Sequence, residues 1–121
     1  MILVDTSVWI DHLRQGEGRL VAALEAEQVL AHPFVIGELA CGNLKNRREV
    51  LSLLHKLPQI VVASETEVLA FIEQRKLMGR GIGYVDVHLL ASAALTEAQL
   101  WTRDKRLVAT GRELNLVAET L

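Results

Sequence analysis

The sequence predicts an α/β domain with a mostly parallel sheet that helices cover on both faces. Short apolar runs, rich in β-branched residues, alternate along the chain with segments of helical apolar spacing. Half of the 121 residues are hydrophobic, which is enough for one sizeable core. Because no linker, repeat or low-complexity tract divides the chain, residues 1–121 are interpreted as a single domain.

Five apolar runs are predicted to be strands of this sheet. The first, Ile2–Val4, suits a strand that is buried on both faces. The other four are residues 28–31, 60–63, 100–102 and 114–117. The expected sheet therefore has about five strands.

Seven helices are predicted between these strands, and several have clear end signals. Pro33 suits the first position of a helix, Ser64 and Glu67 form a capping-box pattern, and Pro58 ends a helix. The predicted helices cover residues 8–13, 20–27, 33–42, 48–57, 65–78, 84–95 and 105–110.

Four carboxylates stand at positions that such a fold can bring together. Asp5 directly follows the first strand, and Asp104 follows the fourth, so both reach the carboxyl edge of the sheet, where ligands bind in open α/β folds. Asp86 lies in the first turn of an alanine-rich helix whose start can point to the same edge. Glu38 lies in an apolar helical segment, where an acid is expected to have a buried partner or a metal.

Each acid also has a purely structural interpretation. Asp5 and Asp104 suit helix caps, Asp86 is favoured by the helix dipole, and a lone Glu38 would be solvated. Together, however, four carboxylates repel one another and stay ionised only beside a cation. Oxygen ligands favour Mg²⁺ or Mn²⁺, which can stabilise charge on an attacked phosphate and activate water, and two such ions can clamp both oxygens of the displacement.

Hydroxyl side chains stand next to two of these acids. Thr6 and Ser7 follow Asp5, and Thr102 precedes Asp104 by two residues. They are predicted to orient the carboxylates or metal-bound water. Simple helix capping is an equally good explanation.

Basic residues are grouped near the acids. Arg80 lies in the glycine-rich loop 79–83, and Arg103, Lys105 and Arg106 flank Asp104. We hypothesise that one or more of them contacts nucleic-acid phosphate, whereas a solvated helix start is the alternative. The net charge of −2 argues against binding nucleic acid by bulk charge, but the remainder is positive once the four acids are set aside.

The chain has no sequence feature of secretion. Its one cysteine, Cys41, cannot form an internal disulfide and is expected to be a small buried residue. No signal peptide and no run long enough for a membrane span is present, so a cytoplasmic protein is expected.

Three segments resemble a known nuclease family. They are residues 5–10 (DTSVWI), 84–95 (YVDVHLLASAAL) and 100–107 (LWTRDKRL), together with Glu38 in its helix. In order and spacing they are similar to PIN-domain nucleases, and more narrowly to VapC-type toxins of bacterial toxin–antitoxin pairs. The resemblance covers nearly the whole chain.

This resemblance implies an α/β/α sandwich and Mg²⁺- or Mn²⁺-dependent endoribonuclease activity. It implies that Asp5, Glu38, Asp86 and Asp104 form the acidic catalytic and metal site. The expected substrate is a structured RNA such as tRNA or ribosomal RNA, and the expected partners are a second copy, a VapB-like antitoxin that blocks the site, and a higher toxin–antitoxin assembly. Lys105 and Arg106 stand where some members carry a further acid, so the number of metal ions, one or two, is left open.

Three other function classes remain to be compared. A non-catalytic RNA-binding or interaction module on the same fold would bind without cleavage. A DNA-directed nuclease would use the same metal chemistry, although no DNA-reading element is evident. A phosphoacceptor receiver domain is disfavoured, because the predicted strand at 60–63 is followed by Ser64 and Glu65 rather than by an aspartate.

Overall fold

A parallel sheet of three short strands forms the centre of the fold. The computed structural model describes residues 1–119. The strands are β1 (Ile2–Val4), β2 (Val29–Leu30) and β3 (Gln99–Trp101), in the order β2-β1-β3. Leu3 pairs with Leu30 on one side and with Leu100 on the other, so β1 is the central strand.

The prediction of five strands is wrong. Each outer segment reaches the sheet through one bridge. Gln59, directly before residues 60–63, pairs with Ala31, and Val117 pairs with Leu100. Beyond the first bridge the chain leaves the sheet, and Val61 is 61% exposed. Before the second, Asn115 has a left-handed φ of 57°, which no strand accommodates. These edge segments therefore extend the sheet by a single residue pair on each side.

All seven predicted helices are present within residues 1–119, and they flank the sheet. The capping box is confirmed, because Ser64 Oγ accepts from Glu67 N at 3.1 Å and Glu67 Oε1 accepts from Ser64 N at 2.9 Å. None of these helices is both long enough and apolar enough to span a membrane. The helices are α1 (Thr6–Gln15), α2 (Gly18–Glu25), α3 (Pro33–Ala40), α4 (Arg47–Lys56), α5 (Glu65–Arg75), α6 (Tyr84–Thr96) and α7 (Lys105–Glu113).

The core is mainly aliphatic and surrounds the sheet. Leu3 and Leu100 are fully buried in the strands, and Leu89 is fully buried on α6. Cys41 is exposed, so its predicted burial is wrong. It occupies the C-cap of α3, where the chain turns out towards solvent.

The register of the sheet places the first pair of site residues. β1 and β3 are parallel neighbours, and Asp5 N donates to Trp101 O at 2.9 Å. The residues that follow the two strands, Asp5 and Thr102, are therefore adjacent at the carboxyl edge of the sheet.

Candidate acidic site

Asp5 is the most deeply buried acid of the site, with 7% of its surface exposed. It occupies the N-cap position of α1, yet its side chain makes no capping hydrogen bond. Instead, Asp5 Oδ2 accepts hydrogen bonds from Ser7 Oγ at 2.7 Å and from Thr102 Oγ1 at 2.8 Å. The carboxylate is thus held by two hydroxyls and is not used to start the helix.

Those two hydroxyls also hold the segment that carries Asp104. Ser7 Oγ accepts from Arg103 N at 3.1 Å, and Thr102 Oγ1 accepts from Asp104 N at 3.1 Å. The hydroxyl oxygens of Ser7 and Thr102 are 3.5 Å apart. Any displacement of the 102–104 segment would therefore be transmitted directly to the Asp5 carboxylate.

Glu38 is exposed on α3 and accepts a hydrogen bond at Oε1 from Thr6 Oγ1 at 2.7 Å. The sequence predicts a buried partner or a metal for Glu38, whereas its hydrogen-bond partner in the structure is Thr6, in an exposed contact. Val35 and Leu39 face the core, whereas Gly37 and Glu38 lie on the solvent side of the same helix. The apolar neighbours in sequence do not surround Glu38 in space, and Thr6 joins it to the start of α1.

Asp104 is exposed and caps α7. Its Oδ1 accepts from Arg106 N and from Leu107 N, both at 3.0 Å. Helix capping thus accounts for one of the two carboxylate oxygens of Asp104. Within residues 1–119 the hydrogen bonds of this carboxylate all fall on Oδ1, which leaves Oδ2 available to a ligand.

Asp86 is half-buried in the first turn of α6, and its Oδ2 accepts from Gly83 N at 3.3 Å. Burial raises the pKa of Asp86 above its ordinary value, and the Gly83 N–H partly opposes this. The negative charges of Asp5, Asp104 and Glu38, in that order, raise this pKa further. The fold therefore brings the other three acids within electrostatic reach of Asp86.

The donor set suits a hard divalent cation, since all four groups offer carboxylate oxygen. However, no three His, Cys, Asp or Glu side chains within residues 1–119 are arranged as a metal-binding group. Glu38 is turned to Thr6, and Asp86 is turned to Gly83. The acids thus share one electrostatic field, and their oxygens would have to converge further around an ion.

The four basic residues near the acids fall into two classes. Arg80 pairs with Glu113 at 2.6 Å, and Arg103 pairs with both Asp11 and Glu17. The hydrogen bond from Arg103 to Asp11 is the main reason that the pKa of Arg103 is raised. The pKa of Glu17 is lowered to about 2, mainly by Arg19 and then by Arg103.

Lys105 and Arg106 are exposed at the start of α7. Neither has an ion-pair partner in the part of the chain that the structure describes. The Arg106 guanidinium lies against Gly81, where an added Cβ would come within 2.8 Å of Nη1. Arg106 therefore reaches the loop that leads to Asp86.

His32 has a structural role in the core. It is fully buried at the start of α3, where Nδ1 accepts from Phe34 N at 3.0 Å. The other ring nitrogen, Nε2, therefore carries the proton and donates to Ser92 Oγ at 3.2 Å. Burial, and then the neighbouring His88, lowers the pKa of His32 to about 4, so the ring is neutral at physiological pH.

The profile of the PIN domain matches residues 2–113. The chain belongs to the PIN-domain family. It is also 54% identical over 114 residues to Ribonuclease VapC32 of Mycobacterium tuberculosis, in both strain CDC 1551 / Oshkosh and strain H37Rv. The match covers 93% of this chain and 92% of the relative. The resemblance stated from the sequence is thereby confirmed, and the chain is a homologue of VapC ribonucleases.

Solved structures show the same PIN fold. The structure of FitAB bound to IR36 DNA fragment matches with a TM-score of 0.62 and 25% identity, over 93% of this chain and 91% of that one. FitAcB from Neisseria gonorrhoeae matches with a TM-score of 0.60 and 24% identity, over 93% and 94%. PAE2754 from Pyrobaculum aerophilum has a TM-score of 0.60 and 18% identity, over 90% and 78%. The last two support the fold alone.

Proposed function

We propose that this protein is a Mg²⁺- or Mn²⁺-dependent endoribonuclease, the toxin of a type II toxin–antitoxin pair, acting as a single domain. Homology to a protein named as a ribonuclease supports the class of reaction. The observation that carries the proposal is the placement of four acids in one region, where the charges of Asp5, Asp104 and Glu38 add to the burial that raises the pKa of Asp86. Such a concentration of negative charge is costly unless a cation is bound.

In this proposal Asp5, Glu38, Asp86 and Asp104 hold the cation. Bound there, Mg²⁺ or Mn²⁺ would supply stabilisation of the charge that develops on the attacked phosphate. Asp5 is the ligand with the most fixed position, because hydroxyls from two different elements hold one of its oxygens. Thr6 plays the same part for Glu38, and it ties α3 to the carboxyl edge of the sheet.

The proposed substrate is a structured RNA, such as tRNA or ribosomal RNA. Lys105 and Arg106 are the best-placed contacts to its phosphates, since they are exposed beside Asp104 without ion-pair partners among residues 1–119. Arg80 and Arg103 would first have to exchange their carboxylate partners for phosphate. Hence we rank these two below the others as RNA ligands.

The proposed partners follow from the same assignment. A second copy of the chain forms a homodimer, and a VapB-like antitoxin covers the acids with a basic side chain in a higher assembly. Such a basic group would supply the positive charge that the four carboxylates require. We place this system in the cytoplasm, where its RNA substrates are.

The test is cleavage of total RNA by the purified protein with Mg²⁺, with Mn²⁺ or with EDTA. Asp5→Asn keeps the shape of the side chain and removes its charge, and Glu73→Gln makes the same change at an exposed position of α5. We expect discrete, metal-dependent fragments with the parent protein and with Glu73→Gln, and none with Asp5→Asn. Cleavage by Asp5→Asn at the parent rate would contradict the assignment.

A non-catalytic RNA-binding module on the same fold is the second candidate. It is favoured by one observation, that no metal-ligand group is already assembled within residues 1–119. Folded protein that binds RNA but releases no fragments under any metal condition would establish this alternative.

A further inference from the structure

Two exposed aromatic side chains pack against the same histidine ring. The chain has five Phe, Trp and Tyr residues, all within the described part. Trp9, Phe71 and Trp101 are buried in the core. The other two, Phe34 and Tyr84, are 37% and 47% exposed. They lie 50 positions apart in the sequence, yet both contact the ring of His88.

These three rings form the aromatic cluster Phe34, Tyr84 and His88. The ring centroids of Phe34 and His88 are 4.4 Å apart and the planes are tilted by 55°. The ring of Tyr84 stands edge-on to His88, with centroids 5.7 Å apart. The fully buried His32 also packs against His88, with ring centroids 5.6 Å apart. The cluster thus consists of a buried histidine ring, His88, and two partly exposed aromatic rings.

The cluster adjoins the acidic site along α3. On α3, Phe34 precedes Glu38 by four residues, so the two side chains lie one turn apart, about 6 Å along the helix. On α6, Tyr84 and Asp86 share the first turn but, two residues apart, point to different sides of the helix. The link to the acids is therefore the Phe34–Glu38 turn of α3, and an RNA strand whose phosphate lies at Glu38 has a neighbouring nucleotide within reach of Phe34.

The buried histidine of the cluster, His88, has a polar atom without a hydrogen-bond partner among the described residues. His88 is only 5% exposed, and its Nδ1 has no hydrogen-bond partner among the described residues. Buried polar side-chain atoms in native proteins nearly always have one. A nucleobase edge carries donors and acceptors, whereas an aliphatic protein surface does not.

We propose that the aromatic cluster is a nucleobase subsite, in which one unpaired RNA base stacks on Phe34 and Tyr84 beside the acids. Unpaired bases are the parts of RNA that proteins commonly stack on aromatic rings, and stacking tolerates any base because every base has a π face. This inference rests on the proposed ribonuclease function. It adds that the substrate is cut next to a nucleotide that is not base-paired.

The test measures binding without cleavage. The probes are a single-stranded RNA hexamer of sequence ACACAC and a hexamer with the same ribose–phosphate backbone that lacks its bases, both in EDTA. Signals of Tyr84, the single tyrosine of the chain, and of His88 are followed by NMR. We expect ring-current shifts of both residues with ACACAC and none with the abasic hexamer. The comparison separates base stacking from phosphate attraction.

Three variants sharpen this result. Phe34→Ala should bind ACACAC roughly tenfold to a hundredfold more weakly, as the loss of one stacking platform requires. Tyr84→Leu keeps the bulk of the side chain and should weaken binding as well, while Phe34→Trp should retain it. The control is Leu95→Ala, which removes a side chain of similar exposure, 48%, from the other end of α6 and should change nothing.

Two outcomes would overturn the proposal. One is equal affinity for the two hexamers with no shift of Tyr84 or His88. The other is that Phe34→Ala converts a dimer into a monomer without changing the affinity for ACACAC, which would make the cluster a contact between copies of the chain. Neither depends on cleavage, so failure of the ribonuclease assignment and failure of the base subsite can be told apart.

Discussion

The Thr102 hydroxyl is the most informative single group to remove, because it joins two of the four acids. It donates to Asp5 Oδ2 at 2.8 Å and accepts from Asp104 N at 3.1 Å. Thr102→Val keeps the size and branching of the side chain and deletes only these bonds. Thr102→Ser keeps the hydroxyl and deletes a methyl group. The two variants therefore separate hydrogen bonding from packing.

The expected losses of stability in the two variants follow from the burial of Thr102. Thr102 is 6% exposed, so water cannot readily replace the lost donor to the Asp5 carboxylate. A hydrogen bond to a charged group is worth about 1.5–3 kcal/mol, and we expect Thr102→Val to lower the free energy of unfolding by about 2 kcal/mol. For a chain of this length that lowers Tm by roughly 5–10 °C. Loss of the methyl group in Thr102→Ser should cost about 1 kcal/mol.

Activity should rank the variants differently from stability. Loss of a group that orients a metal ligand commonly costs about 10- to 100-fold in activity or metal affinity, so Thr102→Val should cleave RNA at least tenfold more slowly. Thr102→Ser should stay near the parent rate. Urea unfolding and initial cleavage rates on one RNA preparation measure both quantities. Equal cleavage by Thr102→Val and Thr102→Ser would refute the positioning role of this hydroxyl.

Three further predictions concern the surroundings of the acids. The pKa of His32 falls from 6.5 to about 4 on folding, so its contribution to the free energy of unfolding, about 3 kcal/mol, is full above pH 6.5 and is lost as the pH falls towards 4. Urea unfolding across this range should give a flatter pH dependence for His32→Asn, and identical slopes would be a contradiction. Arg106→Ala should reduce the slope of the logarithm of RNA affinity against the logarithm of salt concentration by roughly one. Arg103→Ala should leave this slope unchanged, because the Arg103 side chain is already ion-paired. A larger effect on the slope at Arg103 than at Arg106 would reverse the ranking of the two as RNA ligands. Gly81→Ala and Gly79→Ala both strain a left-handed backbone by about 1 kcal/mol, measurable by urea unfolding, but only Gly81→Ala should also weaken RNA binding, through displacement of Arg106. Equal RNA affinities of the two glycine variants would exclude that displacement.

The fold was largely predictable because its signals are local. Pro33 and the Ser64–Glu67 capping box mark helix starts that depend on a few neighbouring residues only. The two outer strands were not predictable from apolar runs. Whether residues 60–63 and 114–117 pair over four positions or over one depends on how the chain leaves the sheet, and Asn115 adopts a left-handed conformation that composition does not reveal.

The positions of the candidate site residues were predictable where the order of strands alone determines them. Asp5 and Asp104 follow parallel strands, so the fold brings them to one edge. The environment of Glu38 was not predictable from its neighbours, because exposure depends on which face of α3 meets the core. The contact between Thr6 and Glu38 depends on the packing of α1 against α3, and no sequence pattern encodes that distance.

The aromatic cluster shows the same limit more clearly. Phe34 and Tyr84 look like ordinary apolar positions of their helices, and His88 has no ligand spacing. Their meeting depends on the approach of the starts of α3 and α6 in space. A sequence signal that could have found it is the presence of an aromatic residue near an acid on both helices.

The most direct test of the central claim, that four acids form one cation site, is the affinity for Mn²⁺. Titration followed by electron paramagnetic resonance would compare the parent protein with Asp86→Asn and with Glu73→Gln, which neutralises an exposed acid on α5. The account predicts that Asp86→Asn binds Mn²⁺ at least about tenfold more weakly, while Glu73→Gln binds it as the parent does. Equal Mn²⁺ affinity in all three proteins would contradict the account.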